Sequence, residues 1–356
     1  MLFKKLISIL CVLSILLFSL SSCKWIESGQ AKNDPDMKYT IYWDMFDTKS
    51  IIYSYLGDSE AEFESNHKAV AALLGEYHKL FDIYYKYSGV NNLKTVNDKA
   101  GIEPVKVDEK LIDFLLYAKE IYTLTNGKTN IAMGSVLKLW HDCREDANDE
   151  DNPVYRLPDS TALQEAAKHC NIDDIIIDKE SGTVYLQDPD MRLDVGALGK
   201  GYATEKAAEL LISRGVTSYV LNIGGNIRMI GAKPSGNGWV TGITNPDKSS
   251  DESMITKINA KNTSIVTSGN YERFYTVDGV DYHHIIDPDT LMPANYFSSI
   301  SIITPDSALA DALSTALFCM SYEEGLALVN FIGGVEVIWV DLEYNMTSTS
   351  GISFVD

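Results

Sequence analysis

A carboxylate and a hydroxyl stand one helical turn apart in the last sixth of the chain. Apolar spacing from Thr304 to Phe318 predicts an amphipathic helix, with Thr304 as N-cap and Pro305 as first helical residue. Asp311 and Thr315 are four residues apart and therefore share one face of that helix. Two oxygen ligands placed in this way suit a hard cation such as Mg²⁺. The alternative is a Thr315 hydroxyl bonded to the Asp311 carbonyl, with the carboxylate in solvent.

A glycine-rich turn precedes a second amphipathic helix. Leu193 to Leu211 starts as the end of an apolar strand, carries glycines at 196, 199 and 201, and continues as a helix. Glycines let backbone groups approach a ligand closely, and a helix N-terminus favours anions. The segment is not a P-loop, because Asp194 occupies the position of that motif's first glycine. A purely structural turn would explain the glycines equally well.

Two further segments carry polar residues between apolar ones. In 283–290, His284 followed by Asp287 predicts a base-capable imidazole beside a carboxylate. Ser268 is followed by glycine, but no Gly-x-Ser-x-Gly elbow marks it as a nucleophile. The run 221–228 contains a double glycine at the end of a strand. A structural histidine and a tight turn are the alternatives to a functional role.

In their order along the chain, these four segments resemble the FAD:protein FMN transferase family, also called the ApbE family. The match covers most of the mature chain and is strongest from 193 to 318. The resemblance implies one α+β domain of T-fold-like type with a flavin cleft. It also implies Mg²⁺-dependent transfer of FMN from FAD to a Ser or Thr hydroxyl of an acceptor protein, with release of AMP. The alternatives are a metal-dependent FAD pyrophosphatase giving FMN and AMP, and a non-catalytic flavin-binding lipoprotein.

The resemblance assigns roles to individual residues. It implies that the Ala197 carbonyl and the side chains of Asp311 and Thr315 ligate Mg²⁺, and that His284 is the general base. The implied contacts to FAD are Met45, Tyr85, Lys128, Thr129, Asn130, Asp194, Lys200 and Ile286. Two positions depart from the family pattern: Asn130 replaces its usual Asp, and Leu291 replaces the Gly that usually follows Asp-Pro-x-Thr.

Hydrophobic periodicity predicts the elements that must position these residues. Helices are expected over 60–80, 107–124 and about 161–169. Strands are expected over 174–186, 219–223, 238–243, 273–277 and 298–303, with a C-terminal hairpin over 335–355. Because strands and helices mix without regular βαβ alternation, we predict a single α+β domain over 39–356. The acidic segment 142–153 is predicted to be an exposed loop.

The composition limits the partners and the redox chemistry. The chain has 356 residues, a net charge of −20 and a pI near 4.6. Such an acidic surface argues against nucleic acid as a partner, and a phosphate-bearing ligand would need a local cation such as a metal ion. Cys143, Cys170 and Cys319 form neither a disulfide framework nor a zinc pattern. Buried thiols are expected, with a Cys143–Cys170 pair as the only disulfide considered.

The N-terminus reads as a targeting segment. Lys4 and Lys5 precede an apolar run that ends in Leu20-Ser-Ser-Cys23, and this pattern resembles the bacterial lipoprotein signal. We therefore expect a signal peptide over 1–22, a lipid on Cys23 and a polar tether over 23–38. The protein would then face the periplasm or the cell exterior from the membrane, with an exported or membrane redox protein as acceptor. An ordinary signal peptide with a chance cysteine is the alternative.

Overall fold

The computed structural model describes residues 26–31, 34–46, 48–55 and 59–355. The predicted signal peptide and Cys23 lie outside these ranges. The helices are α1 (Glu60–Phe81), α2 (Leu93–Asp98), α3 (Glu109–Leu124), α4 (Gly134–Ala147), α5 (Ser160–Ala167), α6 (Gly199–Ser213), α7 (Ser307–Phe318) and α8 (Tyr322–Ile332), with a 3₁₀ turn at Ile172–Asp174.

The strands divide into one large and three small sheets. They are β1 (Ile26–Ala31), β2 (Asp34–Met45), β3 (Thr48–Tyr55), β4 (Val105–Lys106), β5 (Ile175–Asp178), β6 (Thr183–Leu186), β7 (Ser218–Ile223), β8 (Asn226–Gly231), β9 (Trp239–Thr244), β10 (Met254–Ala260), β11 (Ser264–Gly269), β12 (Phe274–Val277), β13 (Val280–His283), β14 (Ser299–Thr304), β15 (Glu336–Val340), β16 (Met346–Ser348) and β17 (Phe354–Val355). The large sheet has the order β1-β2-β3-β7-β8-β11-β14-β15-β16, and each neighbouring pair is antiparallel. The small sheets are β17-β10-β9, β12-β13 and β4-β6-β5.

The large sheet lies between two layers. On β7, Tyr219, Leu221 and Ile223 point towards the helices, where they join the core formed with α1, α3 and α6. The alternate residue Val220 packs on the opposite side, against the core shared with β9 and β10. This period of two is expected for a strand that is covered on both faces. The mixed arrangement is the predicted α+β fold.

Local sequence explains where the main helices begin. Ser59 and Glu62 form a capping box at the start of α1, so two backbone donors are satisfied reciprocally. For α7 the predicted cap was wrong. Asp306 is the N-cap, and its carboxylate accepts from the backbone of Ala308 and Leu309. Thr304 instead ends β14, because its backbone continues the ladder with β11.

Two segments differ in conformation from the sequence prediction. Residues 26–31 and 34–38, expected in a flexible tether, are strands whose backbones pair at the edge of the large sheet. Residues 142–147, expected in an exposed loop, form the end of α4 because Trp140 and Cys143 bury an apolar stripe there. Acidic residues occupy only the solvent side of that helix. The domain boundaries themselves stay a prediction.

Two further expectations can be compared with the described residues. The thiols of Cys143, Cys170 and Cys319 are all free, and Cys143 and Cys319 are buried. In the described part of the chain, no helix combines the length and apolar character needed to cross a membrane.

Candidate active site

One cleft of about 1060 Å³ brings most of the predicted residues together. Its walls come from α4, α6, α7, the hairpins β7–β8 and β12–β13, and the ends of β3, β9 and β11. The predicted residues that line it are Tyr85, Lys128, Asn130, Asp194, Ala197, Lys200, His284, Ile286, Asp311 and Thr315. Segments separated by more than two hundred positions in the sequence therefore meet at one site.

The first wall of the cleft is the crossing of α6 and α7. A Cβ added at Gly201 would lie 2.2 Å from the Asp311 Cβ and 2.4 Å from the Ser307 carbonyl oxygen. Only glycine allows two helices to approach this closely. The Gly201 backbone N–H donates to Asp311 Oδ2 at 2.7 Å and so fixes the carboxylate from the neighbouring helix. This contact explains the third glycine of the turn.

The Asp311 carboxylate is buried, and few charged or hydrogen-bonding groups offset the loss of its contact with water. It is only 5% exposed, and its Oδ1 lies 4.0 Å from Lys200 Nζ. The Asn226 amide, oriented so that both of its polar atoms are satisfied, donates to Oδ1 at 3.3 Å. Burial raises the pKa of Asp311, and Lys200, Gly201 and Asn226 oppose that rise only in part. A cation beside Oδ1 would supply the charge that a buried carboxylate needs.

Thr315 is available on the same face of α7. The Ser314 hydroxyl, and not that of Thr315, donates to the Asp311 carbonyl at 2.8 Å. The Thr315 side chain lines the cleft, as does Ala197 on the turn before α6. The alternative in which Thr315 bonds that carbonyl and Asp311 is solvated is therefore wrong. Carboxylate, hydroxyl and carbonyl oxygens form a donor set that fits a hard divalent cation.

The turns around this wall also bring backbone close to the cleft. Gly224 and Gly225 have φ values of 55° and 92° and form the two-residue turn of the β7–β8 hairpin. The double glycine is thus a tight turn, and it also lines the cleft. α6 begins at Gly199 without a hydrogen bond from the side chain of its N-cap residue Leu198; the Asp311 carboxylate instead accepts from the Gly201 N–H in its first turn.

The second wall carries His284 among positive charges. Burial lowers the pKa of His284 to about 3, with further lowering by Arg273, His283 and Arg144. The imidazole is therefore neutral throughout the physiological pH range. Its Nδ1 is buried and has no hydrogen-bond partner within the described residues. Since buried polar atoms are usually paired, an unpaired one requires an explanation, and proton transfer provides one.

Asp287 does not orient this imidazole. Its Oδ1 accepts from Lys128 Nζ at 2.8 Å, and the same ammonium donates to Asp289 Oδ2 at 2.8 Å. Burial lowers the pKa of Lys128, but the two carboxylates outweigh it and raise the pKa above its ordinary value. Asp287 is buried within this ion pair and does not line the cleft. The predicted pairing of His284 with Asp287 is therefore wrong.

Asp194 is a second carboxylate on the cleft wall. Its Oδ1 accepts from the Gly196 N–H at 2.9 Å, and its backbone N–H donates to the Ile131 carbonyl at 2.9 Å. Burial raises the pKa of Asp194, while His141, Arg273 and Arg144 act in the opposite direction. The carboxylate is thus held in place by backbone contacts and faces cationic side chains.

Some of the predicted flavin contacts of the N-terminal half line the cleft and others do not. Tyr85 and Asn130 belong to the first group. Tyr85 is 71% exposed beside the cleft, so its ring is free to stack on a planar ligand. The Asn130 amide donates to the Cys170 carbonyl at 3.0 Å and accepts from the Ala132 N–H at 2.9 Å. An aspartate could not donate the first of these bonds. Asn130 therefore fastens the loop that precedes α4.

Two predicted contacts are not on the cleft wall. Met45 is buried in the main core, because its strand faces α1; Phe46 and Thr48 line the cleft beside it. Thr129 is also buried, and its hydroxyl donates to the Ala312 carbonyl at 2.8 Å. Thr129 therefore supports α7 from behind and offers no side-chain surface to a ligand in the cleft.

Sequence reasoning missed most of the second wall. Trp140 and Arg144 of α4 line the cleft together with Arg273 and Tyr275 at the β12–β13 hairpin. The guanidinium of Arg144 donates to His141 Nδ1 at 2.9 Å, and its Nη2 lies 3.8 Å from Glu145 Oε1. Arg273 lies in a segment that the sequence already marked, but Arg144 lies in the predicted loop, and only the helical period of Trp140 and Cys143 could have indicated it.

Among the described residues, one other group of side chains could hold a metal ion. His169, Asp188 and Asp190 place ligand atoms within 4.8 Å of one another. They do not line the cleft, and His169 Nδ1 is already 2.7 Å from Asp188 Oδ2. The cleft residues differ from this group in combining one carboxylate with a hydroxyl and a carbonyl.

A family model described as the ApbE family matches residues 42–339, which include every residue of the cleft described above. The chain belongs to the ApbE family. A FAD:protein FMN transferase of Treponema pallidum is 34% identical over 274 residues, covering 73% of each chain. One from Klebsiella pneumoniae is 28% identical over 272 residues, covering 76% of this chain and 80% of the relative.

Solved structures agree with this membership of the ApbE family. The ApbE protein of Thermotoga maritima is 26% identical and superimposes with a TM-score of 0.72, covering 92% of this chain and 97% of its own. The flavin transferase ApbE from Vibrio cholerae, at 24% identity and a TM-score of 0.68, shares the fold. The predicted fold class and the resemblance to the ApbE family are confirmed.

Proposed function

We propose that this chain transfers FMN from FAD to a Ser or Thr hydroxyl of an acceptor protein and releases AMP. The observation that carries the proposal is the pair of cleft walls. One wall presents the buried Asp311 carboxylate with Lys200, and the other presents the neutral His284. The first set suits a diphosphate with its cation, and the second suits removal of a proton.

The FAD diphosphate would lie along the first wall. Lys200 provides positive charge there, and Tyr85 offers an exposed ring for a planar group. Arg144 and Arg273 extend the positive charge to the opposite wall. The acidic net charge of the chain is therefore not the local charge that a phosphate would meet.

Mg²⁺ would be held by the Ala197 carbonyl, Asp311 and Thr315. When bound, it supplies positive charge that stabilises the negative charge developing on the leaving AMP. The support for this assignment is the burial of the Asp311 carboxylate with only partial compensation and the free Thr315 hydroxyl beside it. Gly201 keeps these groups at a fixed separation because it allows the close helix crossing.

The transfer itself needs one proton acceptor and one leaving group. The acceptor hydroxyl oxygen forms a bond to the FMN phosphorus, and the bond from that phosphorus to the AMP oxygen breaks. AMP leaves with the electron pair of that bond, and the hydroxyl proton passes to His284. Positioning and electrostatics carry most of such phosphoryl chemistry. Water in place of the acceptor would give FMN and AMP instead.

One experiment tests the proposal. The purified protein is incubated with FAD and Mg²⁺, with and without membranes of the native cells lacking this chain, and AMP is quantified. AMP that forms only with membranes, together with a fluorescent flavin band in a denaturing gel, is the expected result. AMP without an acceptor would indicate a pyrophosphatase, and FAD binding without AMP would indicate a flavin-binding protein; either result contradicts transfer.

We also propose that a lipid on Cys23 anchors the protein to the cell membrane. The support is the apolar run that ends in Leu20-Ser-Ser-Cys23. Mass spectrometry of the mature N-terminus should find an acylated Cys23, and Cys23→Ser should release soluble protein. An unmodified N-terminus at another residue would contradict the anchor.

A further inference from the structure

β9 is an edge strand without proline or charged side chains, and its pairing with β10 has one register shift, between Met254 and Thr256 of β10. It lies at the end of the sheet β17-β10-β9 and has β10 as its only strand partner within the described residues. In natural proteins, proline, charged side chains or bulges usually prevent an edge strand from pairing with another chain. The sequence of β9, Trp-Val-Thr-Gly-Ile-Thr, has no proline and no charge. Its backbone is therefore open to another strand.

The register shows which backbone groups are free. The Asn259 N–H donates to the Ser353 carbonyl at 2.9 Å, so the polar backbone groups of Asn259 point away from β9. Val240 is opposite Asn259, and in such a pair its own N–H and C=O point away from β10. Gly242, two residues further on, repeats this orientation. Val240 and Gly242 thus present four backbone groups along the free edge, none with a partner in the described part of the chain.

This edge forms part of the wall of the active-site cleft. Thr241 to Thr244 line the cleft, and so do Lys49 and Ile51 of β3. Val240 is 53% exposed where β9 leaves the cleft. The Met254 side chain of β10 occupies the space that a side chain at Gly242 would fill, while the outward N–H and C=O of Gly242 stay at the edge. A polypeptide paired with β9 would therefore run directly into the site.

We propose that the free edge of β9 binds an extended, Ser- or Thr-bearing segment of the acceptor protein as an added strand. The proposal rests on the proposed FMN transfer, which requires a protein hydroxyl to enter this cleft. Pairing through the backbone gives affinity for an extended segment whatever its side chains, while the cleft walls select the residue that is modified. The acceptor segment is thus expected to lack helical structure at the modified residue.

The test removes one outward backbone donor and leaves the strand in place. Val240→Pro eliminates an N–H that takes no part in the β9–β10 ladder, and proline is tolerated at such edge positions. Val240→Thr is the matched control, because it keeps the N–H and the branched side chain. The probe is a synthetic peptide of the segment that mass spectrometry finds flavinylated in native membranes.

At a subsaturating peptide concentration, Val240→Pro should lower the initial rate of flavinylation about tenfold, the scale of one or two lost hydrogen bonds. Val240→Thr should match the wild type, and FAD binding should be equal in all three proteins. Equal rates for the proline and threonine variants would overturn edge pairing and leave FMN transfer intact. A wild type that flavinylates nothing would overturn the proposed function as well.

A second measurement keeps the test valid if the proline variant fails to fold. Amide hydrogen exchange of 239–244 in the unaltered protein should slow when the peptide is added, because the N–H groups of Val240 and Gly242 become bonded. Exchange that is unchanged at saturating peptide would also overturn the proposal.

Discussion

The two walls of the cleft are built in different ways. The wall formed by α6 and α7 gathers its functional groups from two regular helices at a crossing that only Gly201 permits. The opposite wall gathers Arg144, Arg273 and His284 from a helix, the bend before β12 and the residue that follows β13. The first wall fixes distances between oxygen atoms, whereas the second fixes an electrostatic environment. A group on the first wall should therefore be harder to replace than one on the second.

The largest effect is expected on the first wall. Asp311→Asn keeps the size of the side chain but removes the charge, so Mg²⁺-dependent AMP release should be abolished. The measurement is AMP formation after chelator treatment and restoration of Mg²⁺.

The matched control for this variant lies on the same helix. Asp306→Ala removes the N-cap of α7, so it should cost about 1 kcal/mol of folding free energy while turnover at 25 °C persists. Near-normal turnover of Asp311→Asn would show that Asp311 is not a ligand, and the difference between the walls would lose its basis.

The second prediction concerns the base on the other wall. His284→Ala should still bind FAD, because the first wall holds the nucleotide, but flavin transfer should fall by about 10²- to 10⁴-fold. Isothermal titration with FAD and the single-turnover transfer rate separate the two properties. Loss of FAD binding together with activity would make His284 a ligand contact or a structural residue.

A third prediction tests the helix crossing itself. Gly201→Ala introduces a Cβ that overlaps Asp311 and the backbone of α7, so α6 and α7 must separate. We expect a loss of about 1–3 kcal/mol in the free energy of unfolding and reduced affinity for Mg²⁺. Chemical denaturation and a Mg²⁺ titration of AMP release measure the two effects.

Gly75→Ala is the matched control, since nothing lies within 4 Å of an added Cβ at that position in α1. It should leave stability unchanged or raise it slightly. A Gly201→Ala protein as stable and as active as this control would show that the crossing tolerates separation.

The smallest effect is expected from the charges around His284. The neutral imidazole is the active form, and its pKa of about 3 means that kcat/KM should stay level as the pH falls through 6.5. Arg273→Gln removes one of the charges that lower this pKa. The pH at which kcat/KM falls on the acidic side of its profile should therefore rise. Lys49→Gln is the control, because Lys49 lines the cleft but sits against the Trp43 ring. If kcat/KM of the wild type fell with a midpoint near pH 6.5, this would contradict the low pKa of His284.

The same contrast explains what the sequence could predict. The spacing of Asp311 and Thr315 places them on one helix face, and the glycines at 196, 199 and 201 indicate a turn. The main residues of the first wall could therefore be predicted from the sequence. The periodic segments also predicted α1, α3 and two central strands of the large sheet, β7 and β14, but not their neighbours β8 and β11. Regular elements repeat their contacts at fixed intervals, and such intervals are visible in a single chain.

The rest depends on contacts between distant segments. The end of α4 was missed because three acidic residues, Asp142, Glu145 and Asp146, are close in sequence to the two apolar residues that it buries there, Cys143 and Ala147. Lys128 pairs with Asp287 across 159 positions, which displaced the expected contact of Asp287 with His284. The strand β1 was missed because its polar sequence gains stability from backbone pairing at a sheet edge, which leaves no hydrophobic period.

The pairing register of β1 determines where the N-terminal part of the chain leaves the molecule. Ile26, the first residue of β1, is opposite Tyr42, and β2 then runs only three more residues before Phe46 on the cleft wall. If Cys23 carries a lipid, three residues of chain connect it to Ile26, and they span about 10 Å when fully extended. In a protein anchored in the proposed way, the mouth of the cleft would lie within about 25 Å of the bilayer, and acceptor hydroxyls that project further into the aqueous space would be out of reach.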